Sequence, residues 1–462
     1  MRTRAIDFSA LFAALASERG ASTPAPSVTT RREIGPDAFA RLIEPVSLED
    51  FARACGRAPL HIPGAAAKVE GLFSLADLRA ALLADREAAA TDKGLLEGLL
   101  IEASFDRAAD PRSIPMVRVK HEAIGPILDA GATICVSRVE RRDAQLAELA
   151  RVTRAQLGYT GVVGVNCYLS HDGCGFGTHF DARTAISIQL EGSKTWRYGQ
   201  APAVEHPRAN CNIDGDGVPV LRRAHGRTPE AWEQPAAPDE RAFVSVTLEP
   251  GDLLCLPPGT WHRAEAHGYS LALNLFLEDR SVLDLLHVWL ERELRGELEW
   301  RRPPPLVPAG AGGTTTDELW AYMRGRLGAL AELLADPDRH EDTLTQLWSA
   351  STCASAQPPP WPSGSVPELA RDELLEVDRR PPIRLRSARD HAPTITLHAG
   401  AKSLSLPVSA VPLVRELLAR KRFVAADALA WTDADERFVW AEVEPLLRVM
   451  VEHGLLRITR RG

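Results

Sequence analysis

Gly251-Asp252-Leu253-Leu254-Cys255-Leu256-Pro257-Pro258-Gly259-Thr260-Trp261-His262 is the stretch whose reading decides the fold. Leu253–Leu256 has the length of a buried strand, bounded by Gly-Asp before it and Pro-Pro-Gly after it. Pro257 and Gly259 build a tight turn, so His262 opens the return strand. Upstream stands Gly173-x5-His179-Phe180-Asp181. Strand residues two apart face the same side, so His179 and Asp181 offer an imidazole nitrogen and a carboxylate oxygen to one ion. Strands from opposite sides of a small barrel would bring His262 to that pair. Two histidines and one carboxylate on one face of a metal leave other positions open, the donor set of non-haem Fe(II) sites. An HxD triplet alone says little in a chain with 13 histidines. A second triplet of that kind, His340-Glu341-Asp342, lies in a polar helix-like stretch without a companion motif and reads as surface.

The surroundings are strand-rich. Ala132–Val139, Val162–Leu169, Ala185–Leu190, Phe243–Leu248, Leu253–Leu256 and Leu271–Leu277 are short β-type runs, and Leu48–Cys55, Ser74–Leu83 and Asp143–Leu157 read as helices. Many short strands at this spacing predict a sandwich or barrel rather than a parallel α/β sheet. Glu191–Ser193 reads as a hairpin turn with Lys194 opening the next strand. A lysine is normally solvated. Here, one hairpin from two metal ligands, its point charge suits the far carboxylate of a dicarboxylate co-substrate. Asn166 and Tyr168 share one face of the preceding strand and suit hydrogen bonds to the same molecule. Asn274, after His262, has a similar claim. Arg183 has the strand parity of His179 and Asp181 and is expected to face the substrate channel, selecting an acidic or carboxylate-bearing substrate. Residues 200–242 form a long Pro/Ala/Arg-rich excursion, either a channel wall for a polypeptide or a plain insertion.

The 462 residues are 45% hydrophobic and 25% charged, an ordinary soluble composition with enough apolar mass for a core. A net charge of −8 excludes a general polyanion binder. No apolar run approaches the roughly 18 residues of a membrane span. The 7 cysteines are scattered without a CxxC pair, which excludes a zinc ribbon or disulfide scaffold and fits a reducing, cytoplasmic setting. Residues 1–44 read as a flexible tail with a short amphipathic helix rather than a leader, and 45–280 as the catalytic barrel. Residues 281–370 read as a helical segment, with a Thr315-x-x-Glu318 capping box, and a stiff Pro-rich linker at Ser349–Val366. Residues 371–462, helices closed by a β-wing, suggest a winged helix. Its long helical stretch, Asp433–His453, carries Pro445 inside and is acidic. Phosphate repels such a helix, so a protein-contact or structural role is expected rather than nucleic-acid binding.

The stretch from Ile43 to Asp279 resembles the JmjC-type cupins, and more narrowly the ribosomal oxygenases. The resemblance is carried by Leu60-His-Ile-Pro63-Gly64, Gly131-Ala-Thr133, Asn166-Cys-Tyr168-Leu169, Gly177-Thr-His179-Phe-Asp181, Gln189-Leu-Glu-Gly-Ser-Lys194-Thr-Trp196 and the Pro250–His262 block. It implies an α+β multidomain chain: a double-stranded β-helix, a helical dimerisation domain and a C-terminal winged helix. It also implies Fe(II) held by His179, Asp181 and His262, with 2-oxoglutarate contacted by Lys194, Asn166 and Tyr168. The implied activity is hydroxylation of a protein or peptide side chain by a homodimer. The Ala182-Arg183-Thr184 sequence after HxD departs from the family pattern and leaves the substrate open. The same chemistry on a peptide natural-product precursor or small molecule is one alternative; a non-catalytic metal-binding cupin acting as regulator or scaffold is another.

Overall fold

The structure, a computed structural model, describes residues 8–12, 31–89, 98–106, 116–222, 230–306, 314–336, 340–353, 368–377, 383–386, 394–399, 402–431, 438–453 and 455–459. The chain divides into two compact units, Met1–Asp279 and Arg280–Gly462.

The strands of the first unit are β1 Leu60–Ile62, β2 Leu100–Ser104, β3 Val117–Arg118, β4 Thr133–Ser137, β5 Val162–Ser170, β6 Gly175–Phe180, β7 Thr184–Tyr198, β8 Cys211–Ile213, β9 Pro219–Leu221, β10 Val244–Leu248, β11 Leu253–Leu256 and β12 His262–Glu278. Two long strands organise the rest. The first half of β7 pairs with β11 and the second half of β12, which also pairs with β5. The second half of β7 pairs with β10 and the first half of β12, which also pairs with β6. β7 and β12 therefore pass together from one sheet into the other, and the two sheets face each other as the jelly-roll core of a double-stranded β-helix.

The corner between the sheets lies where a hairpin turn was expected. Glu191–Ser193 does not reverse the chain; β7 runs straight through it. The register with β12 slips between His267 and Leu271, opposite Gly192. Gly192 sits at φ 66°, and a Cβ there would lie 1.8 Å from the Tyr269 carbonyl oxygen, so only glycine fits. Turn-type residues here make a bulge that bends a paired strand, a distinction set by the partner strand rather than the local sequence.

Alternation along the central strands decides the inside and the outside. Val165, Cys167 and Leu169 of β5, Ile186 and Ile188 of β7, and Leu273 and Leu275 of β12 form one apolar face. Helices carrying Phe39, Phe51, Leu78, Leu82, Leu146 and Leu149 cover it. The opposite parity turns Asn166, Ser170, Ser187, Gln189 and Asn274 inward, and all five are buried. A buried polar lumen costs free energy unless it is partnered, which singles it out as the place where a polar ligand belongs. The described part of the expected 1–44 tail is not loose. Phe8, Phe12, Phe39 and Leu42 are buried in the same core, because aromatic side chains this large gain more by burial than the short segments lose in entropy.

In the second unit, helices Val282–Arg295, Leu298–Arg301, Thr314–Leu334 and Glu341–Cys353 precede two three-stranded antiparallel sheets. β13 (Leu374–Val377) lies between β17 (Arg422–Val424) and β18 (Leu456–Thr459); β15 (Thr394–Ala399) lies between β14 (Ile383–Arg386) and β16 (Lys402–Pro407). Helices Val411–Ala419 and Trp440–Glu452 pack Leu413, Leu417, Val443, Leu447 and Met450 against Leu375, Val377 and Leu456. Pro445 is accommodated within the second of these helices. The helix expected to start from a Thr315 cap already includes Thr314. The expected linker at Ser349–Val366 begins inside the Glu341–Cys353 helix, and its remainder lies outside the described residues. His340 is not on the surface: it is 5% exposed, its ring packs edge-on against Trp289 at 5.0 Å, and its Nε2 bonds the Leu333 carbonyl at 2.9 Å. A neighbouring aromatic ring, invisible in a local polarity count, buries it. Among the described residues no helix is long and apolar enough to cross a membrane.

Candidate metal centre

β6 and β12 are neighbours, not strands from opposite sides of the barrel, and the ladder sets His262 directly opposite His179. The two rings lie 4.3 Å apart between centroids. Asp181 follows one residue after the end of β6, with its backbone carbonyl accepting the Gly259 amide at 2.8 Å. The Pro-Pro-Gly turn thus ties the two motifs together. One donor atom each from His179, Asp181 and His262 fall within 4.8 Å of one another, the one such group of three among the described residues.

Both histidines are oriented by carbonyls two residues before them in the chain. His179 Nδ1 lies 2.8 Å from the Gly177 carbonyl oxygen, and His262 Nδ1 lies 2.8 Å from that of Thr260. A carbonyl only accepts, so each Nδ1 carries the proton and each Nε2 lone pair is left for an ion. Burial, reinforced by the neighbouring His179, pushes His262 down to about 4, so the ring is neutral at physiological pH, as a metal ligand must be. Burial alone would raise the Asp181 carboxyl. His179, Arg183, His262 and Arg222 outweigh it and hold the group below the usual carboxylate range, ionised. Two imidazoles and one carboxylate suit a divalent first-row ion.

The cluster opens into a cavity of about 310 Å³ lined by Asn166, Tyr168, Phe176, Arg183, Asn212 and Arg222, among others. Asn166 and Tyr168 therefore reach the site, as expected. Asn274 stands directly across the ladder from Asn166, on the same face, with a buried amide oxygen that has no partner among the described residues. Lys194 is 2% exposed, and its Nζ donates to Ser170 Oγ at 2.9 Å; Thr133 donates to the same oxygen at 3.0 Å. Burial lowers the Lys194 ammonium to about 8. No carboxylate pairs with it among the described residues; its hydrogen-bond partner is a hydroxyl, and it stands behind the residues that line the cavity rather than among them. Arg183 lines the cavity, though not by strand parity: the chain bends at 182–183, and the guanidinium lies 4.1 Å above the Phe276 ring.

Asn210, Asn212 and Arg222 were not anticipated. They belong to the 200–242 excursion, which adds β8 to the edge of β6, with Asn212 opposite His179, and β9 to β8. The one local signal was the polar-apolar-polar alternation of Asn210-Cys211-Asn212, the mark of a short half-buried strand.

A β-barrel of this winding, with two histidines and a carboxylate gathered at one end, is a cupin-type double-stranded β-helix. Residues 141–285 match the JmjC domain family. Over 136 residues it is 30% identical to YxbC of Bacillus subtilis, covering 29% of this chain and 39% of that one. Over 300 residues it is 26% identical to ribosomal oxygenase 1 of Gallus gallus, covering 61% of this chain and 44% of the relative. The chain thus spans less than half the length of either relative. Escherichia coli YcfD, a ribosomal oxygenase solved with cobalt and 2-oxoglutarate, aligns at TM-score 0.46 and 17% identity over 90% of this chain and 99% of that one.

Proposed function

We propose that the protein is an Fe(II)- and 2-oxoglutarate-dependent oxygenase that hydroxylates a side chain of a protein or peptide. The observation that carries this reading is the convergence of His179, Asp181 and His262 in a JmjC domain, with both imidazole Nδ1 atoms held so that Nε2 is free. Similarity to ribosomal oxygenase 1 supports it. The metal and co-substrate supply the oxidising chemistry when bound. The three ligands would hold the ion. Lys194 and Ser170 would hold the far carboxylate of 2-oxoglutarate in the lumen, which accounts for an ammonium buried without an anion. Asn166, Tyr168 and Asn274 would orient the rest of that molecule. The apolar sheet faces and the covering helices exclude water from it. Arg183, braced on Phe276, and Arg222 both line the cavity. They would draw in an acidic or carboxylate-bearing substrate group, and Arg183→Ala would relax that preference.

In the second unit, the helices that pack on β13, β17 and β18 support the winged-helix reading. The exposed Val282, Leu283, Leu286, Trp320 and Leu327 support a helical dimerisation segment.

An anaerobic optical titration tests the central reading. Adding 2-oxoglutarate to the Fe(II)-loaded protein should produce a visible charge-transfer band that His179→Ala and Lys194→Ala both lose. Bound iron without any band in the wild type would overturn it.

A further inference from the structure

His179 and His262 are oriented by carbonyls two residues before them in the chain, but Asp181 lies past the end of β6 and takes its side-chain partner from elsewhere. Asn210, immediately before β8, donates from Nδ2 to Asp181 Oδ1 at 2.9 Å. Its own side-chain oxygen accepts the Ala182 amide at 2.8 Å, and its backbone carbonyl accepts the Arg222 amide at 2.7 Å. The Asn210 amide is thus fixed on both sides and aimed at one carboxylate oxygen. The far end of the same excursion grips the histidines' neighbours. Glu240 accepts from the Thr178 hydroxyl and pairs with Arg263 at 3.3 Å, residues adjacent to His179 and His262.

We infer that Asn210 is a positioning residue that confines Asp181 to one-oxygen coordination, and that Asn210–Arg222 and Glu240 form an outer brace of the metal site rather than a plain insertion. The inference rests on the metal-site reading above. A carboxylate free to bind through both oxygens occupies an extra position on the ion, whereas a two-histidine, one-carboxylate face works by leaving positions open. With Oδ1 engaged by Asn210, Oδ2 is the oxygen left for the metal. Such hydrogen-bonded partners of a ligand also raise metal affinity by holding it in place.

Cobalt(II) serves as the probe, since its visible spectrum follows coordination number without any turnover. Asn210→Ala should raise the cobalt Kd by about 10- to 100-fold and change the visible band, while metal-free circular dichroism stays that of the wild type. Asn210→Asp keeps an acceptor for the Ala182 amide, so it guards against a folding defect in the alanine variant, while it replaces the donor with a second carboxylate facing Asp181; its cobalt band should also change. Both variants binding cobalt within twofold of the wild-type Kd, with the wild-type band, would overturn the role of Asn210. A wild-type protein that takes up no cobalt, or a His179→Ala variant that binds it normally, refutes the metal-site reading itself, and this inference with it.

Discussion

Lys194→Met replaces the buried ammonium with an apolar chain of similar length. The reasoning predicts a more stable protein that no longer binds its co-substrate. The ammonium falls from its ordinary 10.5 to about 8 on burial. At about 1.4 kcal/mol per pH unit, keeping it charged in the lumen costs about 3 kcal/mol. Methionine removes that cost and gives up the 2.9 Å bond to Ser170, worth roughly 1.5 kcal/mol for a charged donor. The net gain is about 2 kcal/mol, or roughly 4–8 °C in Tm for a unit of this size. The pH dependence has a definite sign. The unfolded chain binds this proton more tightly than the folded one, so the penalty acts in full below about pH 8. It fades as pH rises toward 10.5, and wild type gains on the variant across that window. Thermal unfolding of the metal-free proteins at pH 7 and near pH 10, with calorimetric titration of 2-oxoglutarate into the metal-loaded forms, checks both halves. A Lys194→Met protein no more stable than wild type, with undiminished 2-oxoglutarate affinity, would refute the argument that this lysine is kept for a ligand at a cost in stability.

Gly164→Ala tests the seat under Arg183: an added Cβ would lie 2.3 Å from the Phe276 ring on which the guanidinium rests. Urea denaturation should show a loss of about 2 kcal/mol from overpacking, with metal affinity unchanged; a neutral substitution would mean that the ring is not wedged. Leu286→Glu and Trp320→Glu place charges on exposed apolar helix faces of the second unit and should each turn a dimer into a monomer by light scattering; a wild-type chain that is already monomeric would remove the dimerisation proposal.

Asn166 and Tyr168 were found because strand alternation is a local property: a period of two assigns a face as soon as the strand is recognised. His340 was misplaced for the converse reason, since Trp289 buries it from 51 positions away in the chain. Glu191–Ser193 shows the same limit. Its composition marks a departure from regular strand, but whether the chain reverses or only bends depends on whether β12 continues opposite it.

The sequence by itself determined the candidate donor atoms and the barrel class. The spacing of HxD and of the Gly-Asp to His block places three candidate ligands at set positions on neighbouring segments, and strand alternation puts Asn166 and Tyr168 on one face. The tertiary structure alone decided what surrounds those atoms: that His262 faces His179 across adjacent strands, that Lys194 lies buried with Ser170, and that Asn210 reaches Asp181 from a segment with no motif of its own. The physical reason is that ligand identity follows local periodicity, whereas orientation and charge state depend on partners brought close only when the strands pair.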